Sequence, residues 1–360
     1  MGGAQGPRRV AIVLPSFAGG GAERVLLTLA AALDPAAFAP EIIVLDGSGP
    51  WRSLVPARIP VTDLGKKRIR GALLPLARAL RRSRAEVAVS TIGALNLGIL
   101  ALKPLLPRSL RLVVREANTP HRHASGGAGQ RFYRWAYPRL YRRAATVIVP
   151  ASYLAKELAD DFGVPRERIA VLHNPVDAKA LEAAAKNPVR APGEGPRFVA
   201  IGRLTHQKGF DRLLEMMAAG PPDARLTILG DGPDRTALEA QRAALGLAER
   251  VALPGFAPDA PRHIAGADAL LLPSRWEGLP NVALEALALG TPVIATPEAG
   301  GIGEIASLAP TGAVTLAKAG EEFIAAMARV APNRTGSKSS LLPDAFRLDH
   351  AAAKFATLLS

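Results

Sequence analysis

Residues 274–285 read Ser-Arg-Trp-Glu-Gly-Leu-Pro-Asn-Val-Ala-Leu-Glu, directly after the apolar run Ala-Asp-Ala-Leu-Leu-Leu-Pro of residues 267–273. A short apolar run of that kind predicts a buried strand. Pro280 suits the first turn of a helix, where its missing N–H is not needed. From Pro280 to Leu289 almost every residue is apolar, so the helix is expected to be buried nearly all round. Gly290 ends it, and Thr291–Thr296, Thr-Pro-Val-Ile-Ala-Thr, begins another strand. A strand–loop–helix–strand unit places Glu277 and the helix N-terminus at the carboxyl end of a parallel sheet, where such folds bind ligands. The helix dipole favours an anion there. Glu285, alone among apolar neighbours, is expected to be a buried charge in need of hydrogen-bond partners. One glutamate early in a helix commonly does no more than complement the dipole. Two, in this setting, point to a ligand with both phosphate and hydroxyl groups, and a nucleotide-sugar fits.

Outward from this stretch the pattern is α/β. Val10–Leu14, Glu41–Leu45, Glu86–Ser90, Arg111–Arg115 and Thr146–Pro150 read as strands, with helix-like segments such as Gly21–Leu33 and Tyr133–Ala144 between them. A second series comprises Phe198–Ile201, Arg225–Leu229, Arg250–Leu253, Ala269–Pro273 and Pro292–Thr296. Lys186–Pro196, rich in Pro, Gly and Ala, reads as the linker. Two doubly wound parallel sheets in tandem are the expected architecture. A chain of 360 residues is long enough for both. Ser337–Leu342 reads as a loop before a terminal helix over Pro343–Leu359.

The spacing Glu-x7-Glu from Glu277 to Glu285 resembles the signature of the retaining GT-B glycosyltransferases of family four, the group 1 glycosyltransferases. Further segments resemble that family in its own order. They are Gly19-Gly20-Gly21-Ala22-Glu23-Arg24, Asn174-Pro-Val-Asp177, Gly202-Arg203-Leu204 with Gln207-Lys208-Gly209, and Leu229-Gly-Asp-Gly-Pro233. The resemblance implies a GT-B fold: two Rossmann-like domains facing a cleft, with a C-terminal helix crossing back to the first. The expected divisions are residues 1–185 for the acceptor, 186–342 for the donor and 343–360 for the crossing helix. Arg203 and Lys208 are implied at the donor diphosphate, where Arg offers a fork and Lys a point charge. Glu285 is implied at the ribose hydroxyls and Glu277 at the transferred sugar. Gly20, Gly21, Gly278, Leu279 and the backbone near Asn281 and Val282 complete the donor contacts. A front-face reaction retaining anomeric configuration follows from the same resemblance, Glu277 positioning and stabilising. There is no Asp-x-Asp pair of the metal-dependent sugar transferases. No metal and no cofactor are expected.

The family's first-domain histidine has no match after Leu112–Arg115, where the chain reads Arg115-Glu116-Ala117-Asn118-Thr119-Pro120-His121. Glu116 is the candidate that takes over, contacting acceptor or sugar. A salt bridge to Arg115 or Arg122 competes as its role. His121 and His123 read as loop residues.

Charge is unevenly spread. Residues 1–180 hold 27 Lys and Arg against 12 Asp and Glu, whereas residues 181–360 hold 18 against 19. Between Lys66 and Arg143 only Glu86 and Glu116 are acidic. Leucines and arginines alternate at helical spacing over Leu73–Arg82, as in an interfacial amphipathic helix. Gln130–Arg143 interleaves Phe132, Tyr133, Trp135, Tyr137 and Tyr141 with five arginines, a composition favoured at a lipid–water boundary. Peripheral attachment to an anionic membrane face is the expectation. A solvated basic face remains the plain alternative. Nucleic acid is not expected, because no helix-turn-helix, zinc or single-strand-binding motif accompanies the charge. There is no cysteine, which excludes disulfides and fits a reducing cytoplasm. No signal peptide is read at Met1–Val10, and Val87–Leu102 is too short to span a bilayer.

The expected function is therefore transfer of a sugar, from a UDP-sugar by family preference, to a lipid-linked or other saccharide acceptor at the inner membrane face. A sugar-nucleotide epimerase of the same architecture and a non-catalytic nucleotide-sugar-binding protein are the alternatives.

Overall fold

The computed structural model describes residues 6–18, 20–118, 127–333 and 338–360, with side chains described outside 127–130. It consists of two compact units, Met1–Pro175 with Leu348–Ser360, and Val176–Arg347.

In the first unit, β1 (Arg8–Ser16), β2 (Phe38–Asp46), β3 (Val61–Asp63), β4 (Val87–Thr91), β5 (Arg111–Arg115), β6 (Thr146–Val149) and β7 (Ile169–Val171) form one sheet. Its order is β3-β2-β1-β4-β5-β6-β7 and every pairing is parallel. Such strands are covered on both faces and read as unbroken apolar runs. Along β1, Val10, Ile12 and Leu14 face one core and Ala11 and Val13 the other. The helices are α1 (Gly21–Ala32), α2 (Ile69–Ser83), α3 (Gly93–Ala101), α4 (Gly127–Leu140) and α5 (Ser152–Asp160).

The second unit contains α6 (Ala178–Ala184), β8 (Arg197–Ile201), α7 (Phe210–Ala219), β9 (Arg225–Leu229), α8 (Arg235–Ala244), β10 (Val251–Gly255) and α9 (Ala260–Gly266). It continues with β11 (Ala269–Leu272), α10 (Asn281–Ala288), β12 (Val293–Ala295), α11 (Ile302–Leu308), β13 (Val314–Leu316) and α12 (Glu321–Ala328). Its parallel sheet has the order β10-β9-β8-β11-β12-β13. The chain then returns as α13 (Leu348–Leu359) to the first unit. Ala351, Phe355 and Leu359 recur at helical spacing and bury themselves in the core that also holds Leu26 and Leu29 of α1. At the far end of α13, Arg111 Nη1 donates to the carbonyls of Leu359 at 3.2 Å and Ser360 at 2.9 Å. Arg8 Nη1 also donates to Leu359, at 2.9 Å. Two cations thus meet the last carbonyls of the helix, where its dipole is negative.

Two expectations about organisation change. The units part at Pro175–Val176, not within Lys186–Pro196. The Pro- and Gly-rich segment belongs to the second unit, where Val189 N donates to Arg262 O at 3.0 Å and Arg197 N to Asp268 Oδ2 at 2.8 Å. Its composition suits a surface segment as well as a linker. The second change concerns α2. Ala72, Leu76, Ala77 and Leu80 are buried in the first unit's core. The amphipathic pattern there is spent on the sheet, and Leu74 alone of its leucines is exposed.

Candidate active site

In the second unit the strand order reverses between β8 and β11, and the loops leaving these strands open at that switch point. The loop after β8 carries Arg203 and Lys208, and the loop after β11 carries Ser274–Pro280 into α10. Backbone and side chains fasten the two loops together. Arg275 N donates to Gln207 O at 2.8 Å, and Gln207 Nε2 donates to Trp276 O at 2.9 Å. Arg212 Nε donates to Pro273 O at 2.7 Å. Arg275 forks onto Asp211 at 2.7 and 2.6 Å, and these hydrogen bonds hold the Asp211 carboxyl below its usual range. Gly209 has φ +67°, and a Cβ there would lie 2.1 Å from Pro273 O, so only glycine permits this approach.

The fastening brings Lys208 onto Glu277. Lys208 Nζ lies 2.5 Å from Glu277 Oε1, and Ser274 Oγ donates to the same oxygen at 2.7 Å. Thr296 Oγ1, just past β12, donates to Ser274 O at 2.8 Å. Gly300, at φ +62°, backs the glutamate: a Cβ there would stand 2.1 Å from Glu277 O. Gly301 N donates to Gly278 O at 2.8 Å. Glu277 is only 8% exposed, so loss of Lys208 would leave a nearly buried carboxylate without that cation. Three loops therefore fix this carboxylate, at the start of a helix whose dipole is positive there.

Arg203 is exposed and forms no ion pair with a described residue. Gly278 and Leu279 are buried and carry the backbone from Glu277 into α10. Pro280, with φ −75° and ψ 100°, precedes the helix as its N-cap instead of lying in the first turn. The expectation of a buried Glu285 is corrected. Ala283, Leu284, Ala286, Leu287 and Ala288 face the interior, while Asn281, Val282 and Glu285 are half-buried. Spacings of one and four residues put those three on one stripe of the helix.

The first unit has its own switch point, between β1 and β4. Gly20 is the exposed N-cap of α1 and Gly21 its first residue; Gly19 lies outside the described residues. Asn174 and Asp177 of the Asn-Pro-Val-Asp segment have separate tasks: Asp177 Oδ1 caps α6 at Ala180 N, 3.0 Å. Asn174 Oδ1 accepts from Arg115 Nη2 at 2.5 Å. At the end of β4, Ile92 has φ +73°, a conformation that β-branched residues avoid, and it introduces α3.

Beside that corner the structure corrects the reading of Glu116. It is 1% exposed, and its hydrogen-bond partners are side chains of its own unit. Asn96 Nδ2 donates to Glu116 Oε1 at 2.8 Å and to Arg115 O at 2.9 Å, and the Tyr141 hydroxyl donates to the same Oε1. Ser90 Oγ donates to Asn96 Oδ1 at 2.7 Å. Burial pushes the Glu116 pKa up to about 7, against the opposing effect of the Tyr141 and Asn96 hydrogen bonds. Burial also lowers Arg115, to about 10, with Glu116 and Glu23 acting the other way. His121, His123 and Arg122 lie outside the described residues.

The aromatic stretch divides by face. Tyr137 and Tyr141 turn inward, their rings stacked with centroids 4.4 Å apart. Phe132 and Trp135 point outward, 54% and 53% exposed, among the exposed Arg131, Arg134, Arg139, Arg142 and Arg143. Arg139 lies over the Trp135 ring at 5.0 Å. Among the described residues no helix is long and apolar enough to cross a membrane.

Sequence reasoning passed over four features: Ser274 as a donor to Glu277, the Asp211–Arg275 fork, the Gly300–Gly301 turn and the buried Glu23. A glycine doublet a few residues past a strand and just before a helix was the available signal for the turn. Nothing local marked the fork.

Comparison with known proteins adds the family context. The family of glycosyl transferases group 1 matches residues 182–340, and glycosyltransferase family 4 matches residues 19–180. The 2-deoxystreptamine glucosyltransferase of Streptomyces kanamyceticus is 35% identical over 175 residues, 45% of this chain and 44% of that protein. The lipopolysaccharide core biosynthesis glycosyltransferase LpsE of Rhizobium meliloti is 34% identical over 140 residues, 39% of this chain and 41% of that protein. The chain thus aligns with less than half the length of these curated relatives. Among solved structures, Anabaena HepE in complex with UDP and glucose superposes with a TM-score of 0.79 at 20% identity, covering 98% of this chain and 99% of that one. This likeness shows the GT-B fold.

Proposed function

We propose, from the premise that this chain belongs to the group 1 glycosyltransferases of family 4, that it is a retaining, metal-independent glycosyltransferase using a nucleoside-diphosphate sugar. The observation that carries this reading is the Lys208–Glu277 pair with Ser274, fixed by three loops at the mouth of a parallel sheet. Lys208 sits where a cation can move from its carboxylate partner to a phosphate oxygen, and Arg203 stands exposed on the same loop. Together they neutralise charge on a departing diphosphate, the task a metal ion performs elsewhere. The N–H groups at Asn281 and Val282 favour the same anion. Glu285, on their stripe, takes the ribose hydroxyls. Glu277 takes the hydroxyls of the transferred sugar and orients it for front-face attack. Gly20 and Gly21 open α1 of the first unit, where backbone N–H groups favour an anion.

UDP is the favoured nucleotide, since the HepE structure holds UDP and glucose. A lipid-linked saccharide is the favoured acceptor, in glycan or surface polysaccharide synthesis, in line with the lipopolysaccharide name of one relative. The outward face of α4, with Phe132, Trp135 and the surrounding arginines, supports docking on the anionic inner face of the cell membrane.

The test is a thermal-shift screen against UDP-, GDP- and ADP-sugars, then turnover of the stabilising donor in EDTA. Turnover is expected to persist without metal and to fall about 100-fold or more in Glu277→Ala and Lys208→Ala. Full activity in both folded variants would discard the site assignment. Donor binding with no transfer to any acceptor would leave a sugar-nucleotide-binding protein instead, and a donor epimerised without transfer would leave an epimerase.

A further inference from the structure

The buried carboxyl of Glu116 has no place in donor chemistry, yet four elements converge on it. Asn96 comes from α3, Arg115 from β5, Tyr137 from α4, and Tyr141 from the turn that follows α4. Glu23 of α1 bears on it through Arg115, and the half-buried Tyr133 of α4 feels its charge. A Cβ added at Gly93, the first residue of α3, would lie 2.7 Å from the Tyr137 hydroxyl and 3.4 Å from Glu116 Oε2. The Tyr137 ring is wedged between Tyr141 and Phe162, at centroid distances of 4.4 and 5.0 Å. Both tyrosine side chains are buried, whereas the opposite face of the same helix carries exposed Phe132 and Trp135. Beside the apolar packing of Ala136, Tyr137 and Leu140, the end of the helix is therefore tied to a polar cluster around a single carboxyl.

We propose that Glu116 is a positioning residue: through Tyr141, and the Tyr137 ring stacked on it, its carboxyl seats α4 and so sets the placement of the exposed aromatic-and-arginine face, in a manner that depends on its ionisation. In the carboxylate form the group accepts the Tyr141 phenol and Asn96 amide hydrogen bonds but bears the full cost of a desolvated charge. Protonation removes that cost and leaves the oxygen that Asn96 and Tyr141 hold as an acceptor. Opening of α4 exposes the carboxyl to water, where its pKa returns to the usual range. The seated state thus takes up a proton more readily than the open one, and seating tightens as pH falls. That α4 is a docking face rests on the function proposed above; that Glu116 seats it does not.

Hydrogen–deuterium exchange of the peptide covering residues 131–141 in the full chain, without donor, acceptor or lipid, tests the seating alone. After correction for intrinsic rates, opening should increase about tenfold between pH 6 and pH 8. Glu116→Gln keeps an acceptor oxygen and cannot ionise, so its α4 should stay protected and lose the pH dependence. Gly93→Ala displaces Tyr137 while leaving the carboxyl, and should raise exchange while retaining the slope. A flat profile in the wild type, or the same slope in Glu116→Gln, would overturn the proposal. Because no substrate enters the measurement, an inactive site or a failed membrane assay leaves its outcome untouched.

Discussion

Glu277 and Glu116 each stand beyond the carboxyl end of a parallel strand, and each accepts a hydrogen bond from a side chain of its own unit. Their partners set them apart. Glu277 meets the ammonium of Lys208 and the hydroxyl of Ser274 at a helix start. Glu116 meets the amide of Asn96 and the phenol of Tyr141, and burial pushes its pKa up to about 7. A cation that can shift to a ligand makes the first carboxylate ready for exchange chemistry. Neutral donors locked by ring stacking make the second a structural hub. The position of an acid at a strand end is therefore a poor guide to its role, and the chemistry of its partners a better one.

The sharpest way to break this contrast is the loss of turnover in Glu277→Ala and Lys208→Ala described above. The next effect is indirect. Gly300→Ala would drive a Cβ toward Glu277 O and shift the carboxylate without changing its chemistry, so turnover should fall on the order of tenfold or more with folding intact. An unaltered rate would mean that this backing loop does not position Glu277.

Stability should show the contrast as well. A carboxyl whose folded pKa of about 7 lies above its unfolded value stabilises the fold fully below about pH 4.5, and that contribution disappears as pH rises through 7. The amount is about 3 kcal/mol, and Glu116→Gln should flatten this part of the pH–stability curve in calorimetry. A retained slope would assign it to other groups. Next comes the outer face of α4. Phe132→Ala with Trp135→Ala should weaken sedimentation with anionic vesicles by about tenfold, and added salt should weaken it further. Binding that is equal on neutral vesicles would remove the charge component. The smallest effect is expected of Arg111→Ala, about 0.5 kcal/mol from the lost cation at the C-terminal carbonyls of α13, measurable as a lowered denaturant midpoint.

Ten strands were legible because a parallel strand covered on both faces leaves a continuous apolar run. β3, β7 and β13 were not: each is a three-residue edge strand with partly exposed residues, too short for the pattern. In the candidate site, the quoted stretch announced Glu277 and the helix start, but not Ser274 as a partner. The Asp211–Arg275 fork joins residues 64 positions apart and has no local trace. Glu285 was misjudged because composition gives the polarity of a helix and not which stripe faces inward. Glu116 was misjudged for a related reason: its burial depends on where Tyr137 and Tyr141 of a distant segment come to rest. The same ambiguity separates α2 from α4. Leucine-and-arginine periodicity describes a helix lying on a sheet as well as one lying on lipid; α2 spends it on the sheet, whereas α4 keeps Phe132 and Trp135 exposed.

The return of α13 bears on how the protein is made. Phe355 and Leu359 complete a core whose other walls, β1 and α1, leave the ribosome more than three hundred residues earlier. During synthesis the side of this core that α13 closes stays open while the entire second unit emerges. Val176 N then bonds Phe346 O at 2.8 Å, pinning the start of that unit to its end, just before α13 begins. The nascent first unit is thus an open apolar surface for most of its time on the ribosome. Chaperone demand should concentrate there, and ribosome-bound chains halted before residue 348 should be more protease-sensitive in residues 1–175 than chains carrying α13.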